Sequence, residues 1–119
     1  MHDIDVIDFF CGCGGTSAGL RKSGMNILAG IDIDSKALDT FSRNFPEASA
    51  INKSITDLTP RELKKTVLKG RKNKLLLSAC APCQPFSRQN RHKNDDDNRI
   101  TLLDEFHSFV IDLKPDFII

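Results

Sequence analysis

Residues 4–20, "IDVIDFFCGCGGTSAGL", decide the fold: an apolar run stops at a glycine-rich turn, and a short helix-like stretch follows. Residues 4–10 read as a strand buried on both faces. Gly12, Gly14 and Gly15 permit a tight turn and close approach of the backbone to a ligand. The spacing predicts a helix over 16–23, with Thr16 or Ser17 near its start and Gly24 at its end. Strand, glycine turn and helix in that order form the opening of a βαβ unit.

Working outward, the same alternation recurs. "NILAGID" (26–32), "KLLLSAC" (74–80) and "DFII" (116–119) read as strands, and Ile51 lies in a weak segment that allows another. Ser35 is placed to N-cap "KALDTFSRNF", whose Ala37, Leu38, Phe41 and Phe45 share a face before Pro46 stops the helix. Thr59, Pro60 and Glu62 make a capping box, and Gly70 is expected to end that helix. Leu102, Leu103, Phe106, Phe109, Val110 and Leu113 give a last helix a wide apolar stripe. Strands alternating with helices imply an α/β fold with a doubly wound, mainly parallel sheet and right-handed crossovers. Only "SRQNRHKNDDDNR" (87–99) lacks periodicity; it reads as a long polar loop, either a solvated connector or a lid.

Composition narrows the class. With 119 residues the chain holds one domain at most. Seventeen Lys and Arg against sixteen Asp and Glu give a net charge of +1, so overall charge does not announce a nucleic-acid binder. No apolar stretch is long enough to cross a bilayer, and "MHDIDVIDFF" is no secretory signal. The four cysteines are therefore expected reduced, in a cytoplasmic setting. "KPDFII" opens an edge strand with no following helix to cover it, from which a functional unit larger than 119 residues is expected.

Two turns carry the chemistry. Asp32 follows Gly12 by twenty positions, where a carboxylate would bond the ribose hydroxyls of a nucleotide-like cofactor; Asp34 lies beside it. The glycines make neither a Walker loop nor the G-x-G-x-x-G spacing of NAD enzymes. In a doubly wound sheet the first and fourth strands end side by side at the switch point, so "CGCGG" should face "CAPCQPFS" (80–87). Cys83 at that crevice suits a nucleophile. The same geometry allows Cys11, Cys13, Cys80 and Cys83 to hold zinc in a four-cysteine metal-binding module. His2 and His107 read as structural or surface residues.

"DFFCGCGGTSAGL", "GIDIDSKALDTFSRNFP" and "PCQPFS", in this order, resemble the cytosine-5 DNA methyltransferase family, and "DNRITLLDEF" and "LKPDFII" resemble its following segments. The resemblance implies a Rossmann-like fold and S-adenosylmethionine as cofactor, with methylation of carbon 5 of cytosine flipped from duplex DNA. It gives Cys83 the role of nucleophile, with Pro82 shaping its turn. Phe10 would pack on the adenine, Gly12, Gly14 and Gly15 would pass the methionine moiety, and Asp32 would bind the ribose. Ile33 would cover the adenine, and Ile55 and Leu102 would line the rest of the pocket. Gln84, Ser87, Arg88 and Gln89 would begin the loop that closes over the base, and Arg99 would end it.

The sequence departs from that pattern at Ser54, where an acidic residue is usual, and at Cys80, where something smaller is. Cys80 is read as a buried strand-end residue. The family's Glu-Asn-Val segment, its target-recognition domain and a C-terminal segment are expected in a missing C-terminal half, in cis or as a separate chain. The 119 residues would form the N-terminal portion of the catalytic domain, inactive alone. The related branch that methylates cytosine in tRNA shares these motifs and stands as the alternative enzyme.

Overall fold

The β-strands are short, apolar and branched-rich, and they line up in one direction. A computed structural model describes residues 3–80 and 93–119, with the side chains of the second segment described from Leu102 onward. In chain order the elements are β1 (Ile4–Phe9), α1 (Gly15–Lys22), β2 (Asn26–Ile31), α2 (Ser35–Asn44), β3 (Ser49–Ile51), α3 (Pro60–Thr66), β4 (Lys74–Ala79), α4 (Lys93–Leu113) and β5 (Phe117–Ile118). The sheet order is β3-β2-β1-β4-β5, every neighbouring pair parallel. The chain winds outward from β1 to β3 and then crosses back to β4 on the other side. That reversal makes the switch point between β1 and β4, as the doubly wound pattern requires.

Alternation along β1 explains the two cores. Val6 points to the layer holding Leu38 and Phe41 of α2 and Phe45 at its C-cap, whereas Ile7 and Phe9 point to Leu63 of α3 and Phe109 and Leu113 of α4. Phe9 sits 5.0 Å from Phe109 and 5.3 Å from Phe106 between ring centroids, within the range of favourable aromatic pairs. Burial of each such side chain stabilises by about 1.5–3 kcal/mol, so β1 is the spine on which both helical layers condense.

Four expectations are corrected. Asp34, not Ser35, caps α2: its carboxylate accepts from the Lys36 and Ala37 N–H groups at 3.0 and 3.2 Å. A carboxylate satisfies two orphan donors and complements the helix dipole, which a serine hydroxyl does less well. Thr59 does cap α3, accepting from the Glu62 N–H at 3.2 Å, but the helix stops at Thr66 rather than reaching Gly70. Gly70, at φ +74°, turns the chain toward β4. Helix α4 already begins at Lys93, inside the stretch read as a polar loop. No glycine or proline interrupts 93–113. Within the predicted apolar stripe of α4, Leu103 is exposed.

The expected edge strand is present. β5 lies at the sheet margin, and Phe117, Ile118 and Ile119 are 43 to 57% exposed. Among the described residues no helix is long and apolar enough to cross a membrane.

Candidate active site

The turn after β1 is bent by three left-handed residues in five. Phe10 (φ +56°), Gly12 (+55°) and Gly14 (+100°) reverse the chain and deliver it to α1 with Gly14 as N-cap. Phe10 bears a side chain there, at a cost on the order of 1 kcal/mol. In return its ring stands on the wall of a cavity. A Cβ on Gly14 would lie 2.5 Å from the Phe45 ring, so conformation and packing both demand glycine at this position. Over Gly12 and Gly15 a Cβ would meet no protein atom within 4 Å. Their faces are open.

Hydrogen bonds lock the turn to the end of β2. Cys11 N–H donates to the Ile31 carbonyl at 3.1 Å, and Gly14 N–H to the Cys11 carbonyl at 3.0 Å. Gly12 N–H donates to Asp32 Oδ2 at 2.7 Å, while Asp32 Oδ1 accepts from the Asp34 N–H at 2.9 Å. Asn52 Nδ2 holds the Asp32 and Ile33 carbonyls at 3.0 and 3.1 Å. A carboxylate offers about four acceptor sites, so Asp32 is oriented by two amides and keeps capacity for a ligand.

The cavity beside these residues measures about 200 Å³. Five of the positions singled out in the sequence line it: Phe10, Asp32, Ile33, Ile55 and Leu102. Ile33 is 73% exposed, an apolar side chain held at the mouth with nothing of its own to cover. Ile31, Lys53, Ser54 and Cys80 complete the lining. Cys80 is exposed, contrary to its reading as a buried strand-end residue, because β4 stops at Ala79. The glycines of the turn do not line this cavity, and His107 lies on the surface.

Beneath the turn sits a polar group that sequence reasoning missed. Asp8 pairs across the sheet with Gly30 on one side and Ser78 on the other, and it is 2% exposed. Ser17 Oγ, from the first turn of α1, donates to Asp8 Oδ2 at 2.6 Å. Burial raises the Asp8 pKa above the usual carboxylate value; bonds from Ser17 and Ser78 oppose the shift, and the charge of Asp32 adds to it. The signal in the sequence was a second carboxylate, after Asp5, inside a buried strand.

Cys11 is buried and its thiol donates to the Gly12 carbonyl at 3.5 Å. Burial, with Asp8 and Asp32 nearby, pushes its pKa up to about 12. A four-cysteine metal site would have to draw this protonated thiol out of the core and ionise it against two carboxylates, which disfavours Cys11 as a ligand. Pro82, Cys83, Gln84, Ser87, Arg88 and Gln89 lie outside the described residues. Arg99 falls within α4.

Residues 4–119 match the model of the C-5 cytosine-specific DNA methylase family. The chain belongs to that family. As a member of it, the chain is 33% identical over 113 residues to type II methyltransferase M.XorII of Xanthomonas oryzae, covering 95% of this chain and 26% of the relative. A tRNA (cytosine(38)-C(5))-methyltransferase of Spodoptera frugiperda is 33% identical over 96 residues, 79% of this chain and 27% of that protein. Among solved structures, a DNA modification methyltransferase encoded within an E. coli prophage superposes with a TM-score of 0.81 at 29% identity, over 97% of this chain and 30% of that one. This chain thus spans between a quarter and a third of the length of the relatives it matches, and its sheet has the Rossmann-like form of methyltransferases.

Proposed function

We propose that this chain is the cofactor-binding and nucleophile-bearing N-terminal portion of the catalytic domain of a DNA cytosine-5 methyltransferase. The observation that carries the reading is the cavity at the ends of β1 and β2, which gathers Phe10, Asp32, Ile33, Ile55 and Leu102 in a chain of this family. The donor set fits an adenosine-bearing cofactor: a pre-oriented carboxylate for vicinal hydroxyls, with an aromatic ring and an exposed isoleucine for the base. S-adenosylmethionine, when bound, supplies an electrophilic methyl group. In this reading Asp32 holds the ribose, Phe10 and Ile33 sandwich the adenine, and Ile55 and Leu102 fill the remaining wall. The open faces of Gly12 and Gly15, with Gly14 behind them, let the methionine moiety pass close to the backbone. Pro82 presents the following residue toward it.

Cytosine carbon 6 is a poor electrophile, and Cys83 is assigned the task of adding to it as a thiolate. Addition places electron density on carbon 5, which becomes nucleophilic. Once carbon 5 carries the methyl group that the cofactor would supply, loss of its proton to solvent drives elimination of the Cys83 thiolate and restores the ring. A thiol suits both directions because it ionises near neutral pH and sulfur leaves readily. The base must leave the duplex to reach the site. Gln84, Ser87, Arg88, Gln89 and Arg99 are assigned to the flipped base and its phosphates.

Target recognition and turnover are assigned to sequence that the longer relatives carry beyond the matched portion. The setting proposed is the bacterial cytoplasm, with the enzyme on nucleoid DNA as part of a restriction-modification pair; a reducing compartment keeps Cys83 a thiol.

The similarity to a tRNA enzyme at the same 33% identity as the DNA enzyme M.XorII favours one second reading, tRNA cytosine methylation. Assaying labelled-methyl transfer by the full-length enzyme on duplex DNA and on tRNA separates the two. Transfer to DNA supports the proposal, and transfer to tRNA alone overturns it.

A further inference from the structure

The near-neutral net charge hides a strong internal asymmetry. Residues 61–74, "RELKKTVLKGRKNK", carry seven Lys and Arg and one Glu, which leaves ten basic and fifteen acidic residues in the rest of the chain. On α3, Arg61, Lys64 and Lys65 stand at helical spacing i, i+3 and i+4 on the outer face, opposite the fully buried Leu63. Past the helix, Lys69, Lys72 and Lys74 are also exposed, so the charge runs on to the start of β4.

Among the described residues no ion pair neutralises these cations. Glu62, the one acid of the segment, is taken by Lys53 at 3.0 Å. Among the described residues none of Arg61, Lys64, Lys65, Lys69, Lys72 or Lys74 forms an ion pair; the three bridges present are Arg21–Glu47, Arg43–Asp39 and Lys53–Glu62. Of the acids at this end of the sheet, two are occupied, and Asp112 in the last turn of α4 is exposed. Asp5 accepts from Asn26 and Asn73 at 3.0 and 3.1 Å, and Asp116 accepts from the Leu75 N–H at 2.8 Å; Asp3 is exposed. Arg71 donates to the Asn73 carbonyl, which fixes the loop between α3 and β4.

The position matters as much as the sign. The candidate site lies at the carboxyl ends of the strands, and the basic run leads down α3 to their amino ends, about 20 Å away across six-residue strands. It therefore does not belong to the cavity. We propose that this surface is a second, sequence-independent contact for the phosphate backbone of duplex DNA, holding a stretch of the polymer other than the one presenting its cytosine. Charge complementarity supplies the affinity, since each neutralised phosphate releases a condensed counterion. DNA as occupant rests on the proposed function above, but the binding test below does not depend on catalysis.

The test uses the triple variant Lys64→Gln/Lys65→Gln/Lys69→Gln and a labelled duplex of A·T pairs only, which offers no cytosine to the site. Fluorescence anisotropy across a salt series is expected to show affinity about tenfold weaker at low salt. The slope of log K against log salt should become shallower by roughly 2 to 3. A control variant with the same charge change elsewhere, Lys22→Gln/Lys36→Gln/Arg43→Gln, should move the slope by less than one. Unchanged affinity and slope in the triple variant would overturn the proposal, as would an equal loss in the control, which would make it an effect of net charge. Loss of binding to phosphatidylserine vesicles with duplex binding intact would overturn it in favour of a membrane surface. Methyl transfer by the full-length enzyme, measured separately on cytosine-containing DNA, reports on the functional reading alone.

Discussion

The two walls of the crevice are built in opposite ways. On the β1–β2 wall, a turn with three left-handed residues is fastened by hydrogen bonds from the Cys11, Gly12 and Gly14 N–H groups to Ile31, Asp32 and Cys11, and Asp8 and Ser17 tie the helix to the strand below. The β4 wall runs straight through four buried residues, Leu75 to Ser78, anchors Ala79 N–H to the Ile119 carbonyl at 3.1 Å, and releases Cys80 to solvent. One wall spends its hydrogen bonds on shape, and the described part of the other stops at Cys80, three positions before the residue proposed to do chemistry. Preorganised binding and a reactive group on a strand end are separable, so substitutions on the two walls should fail differently.

The largest separation comes from Cys83→Ser in the full-length enzyme. Methyl transfer is expected to fall by a factor on the order of 10⁴ or more, as removal of a nucleophile does, with cofactor affinity retained. Isothermal titration alongside a transfer assay checks it. A parallel collapse of cofactor binding would mean that the walls are not independent.

Within the β1–β2 wall, Gly14→Ala and Gly12→Ala make a matched pair. Both place a Cβ at positive φ, costing about 1–2 kcal/mol. Only at Gly14 does the new carbon strike Phe45 at 2.5 Å and Phe41 at 3.0 Å, which adds about 1–3 kcal/mol of overpacking. Urea melts should rank Gly14→Ala well below Gly12→Ala, while titration should show Gly12→Ala losing cofactor affinity. Equal stability losses would mean that the aromatic pair yields and does not support the turn.

Asp32→Ala follows in size. Deleting a carboxylate that receives charged hydrogen bonds costs about 1.5–3 kcal/mol, so cofactor affinity should drop roughly tenfold to a hundredfold. Asp32→Asn should recover part of the fold's stability, since an amide oxygen can still accept from Gly12 N–H. An unaltered affinity in Asp32→Ala would move the ribose contact elsewhere.

Much of this arrangement was legible because it rests on local chemistry. The period of buried strands, the glycine turn and the spacing from Gly12 to Asp32 are all short-range, and each fell within a residue or two of its place. Asp34 was available as the better cap of α2 but was passed over for Ser35, since two adjacent cap candidates look alike before the backbone direction is known. The start of α4 was hidden because charged, aperiodic residues do not show which helical face they occupy. Lys53 and Cys80 reached the cavity only through tertiary placement. The partners of Asp8 were hidden for the same reason: Ser17 and Ser78 lie 9 and 70 positions away, and Ser78 meets it only once β1 and β4 pair.

The smallest effect probes how firmly the turn is closed. Cys11 has a pKa near 12 in the fold against about 9 for an ordinary thiol, because burial and the neighbouring carboxylates oppose its thiolate. A folded-state value raised above the unfolded one means that the folded protein keeps its proton through a window where the unfolded chain has lost it. Stability is therefore unaffected by this group below about pH 8 and declines as pH climbs from 9 toward 12, by about 1 kcal/mol at pH 10. Cys11→Ala should flatten that part of the pH dependence in denaturant midpoints, at the cost of a small cavity. The exposed Cys13 and Cys80 supply the internal reference: at pH 8 iodoacetamide should modify both well before Cys11. Alkylation of Cys11 at the rate of Cys13 would show that the β1 turn opens readily, and the β1–β2 wall would not be a fastened one.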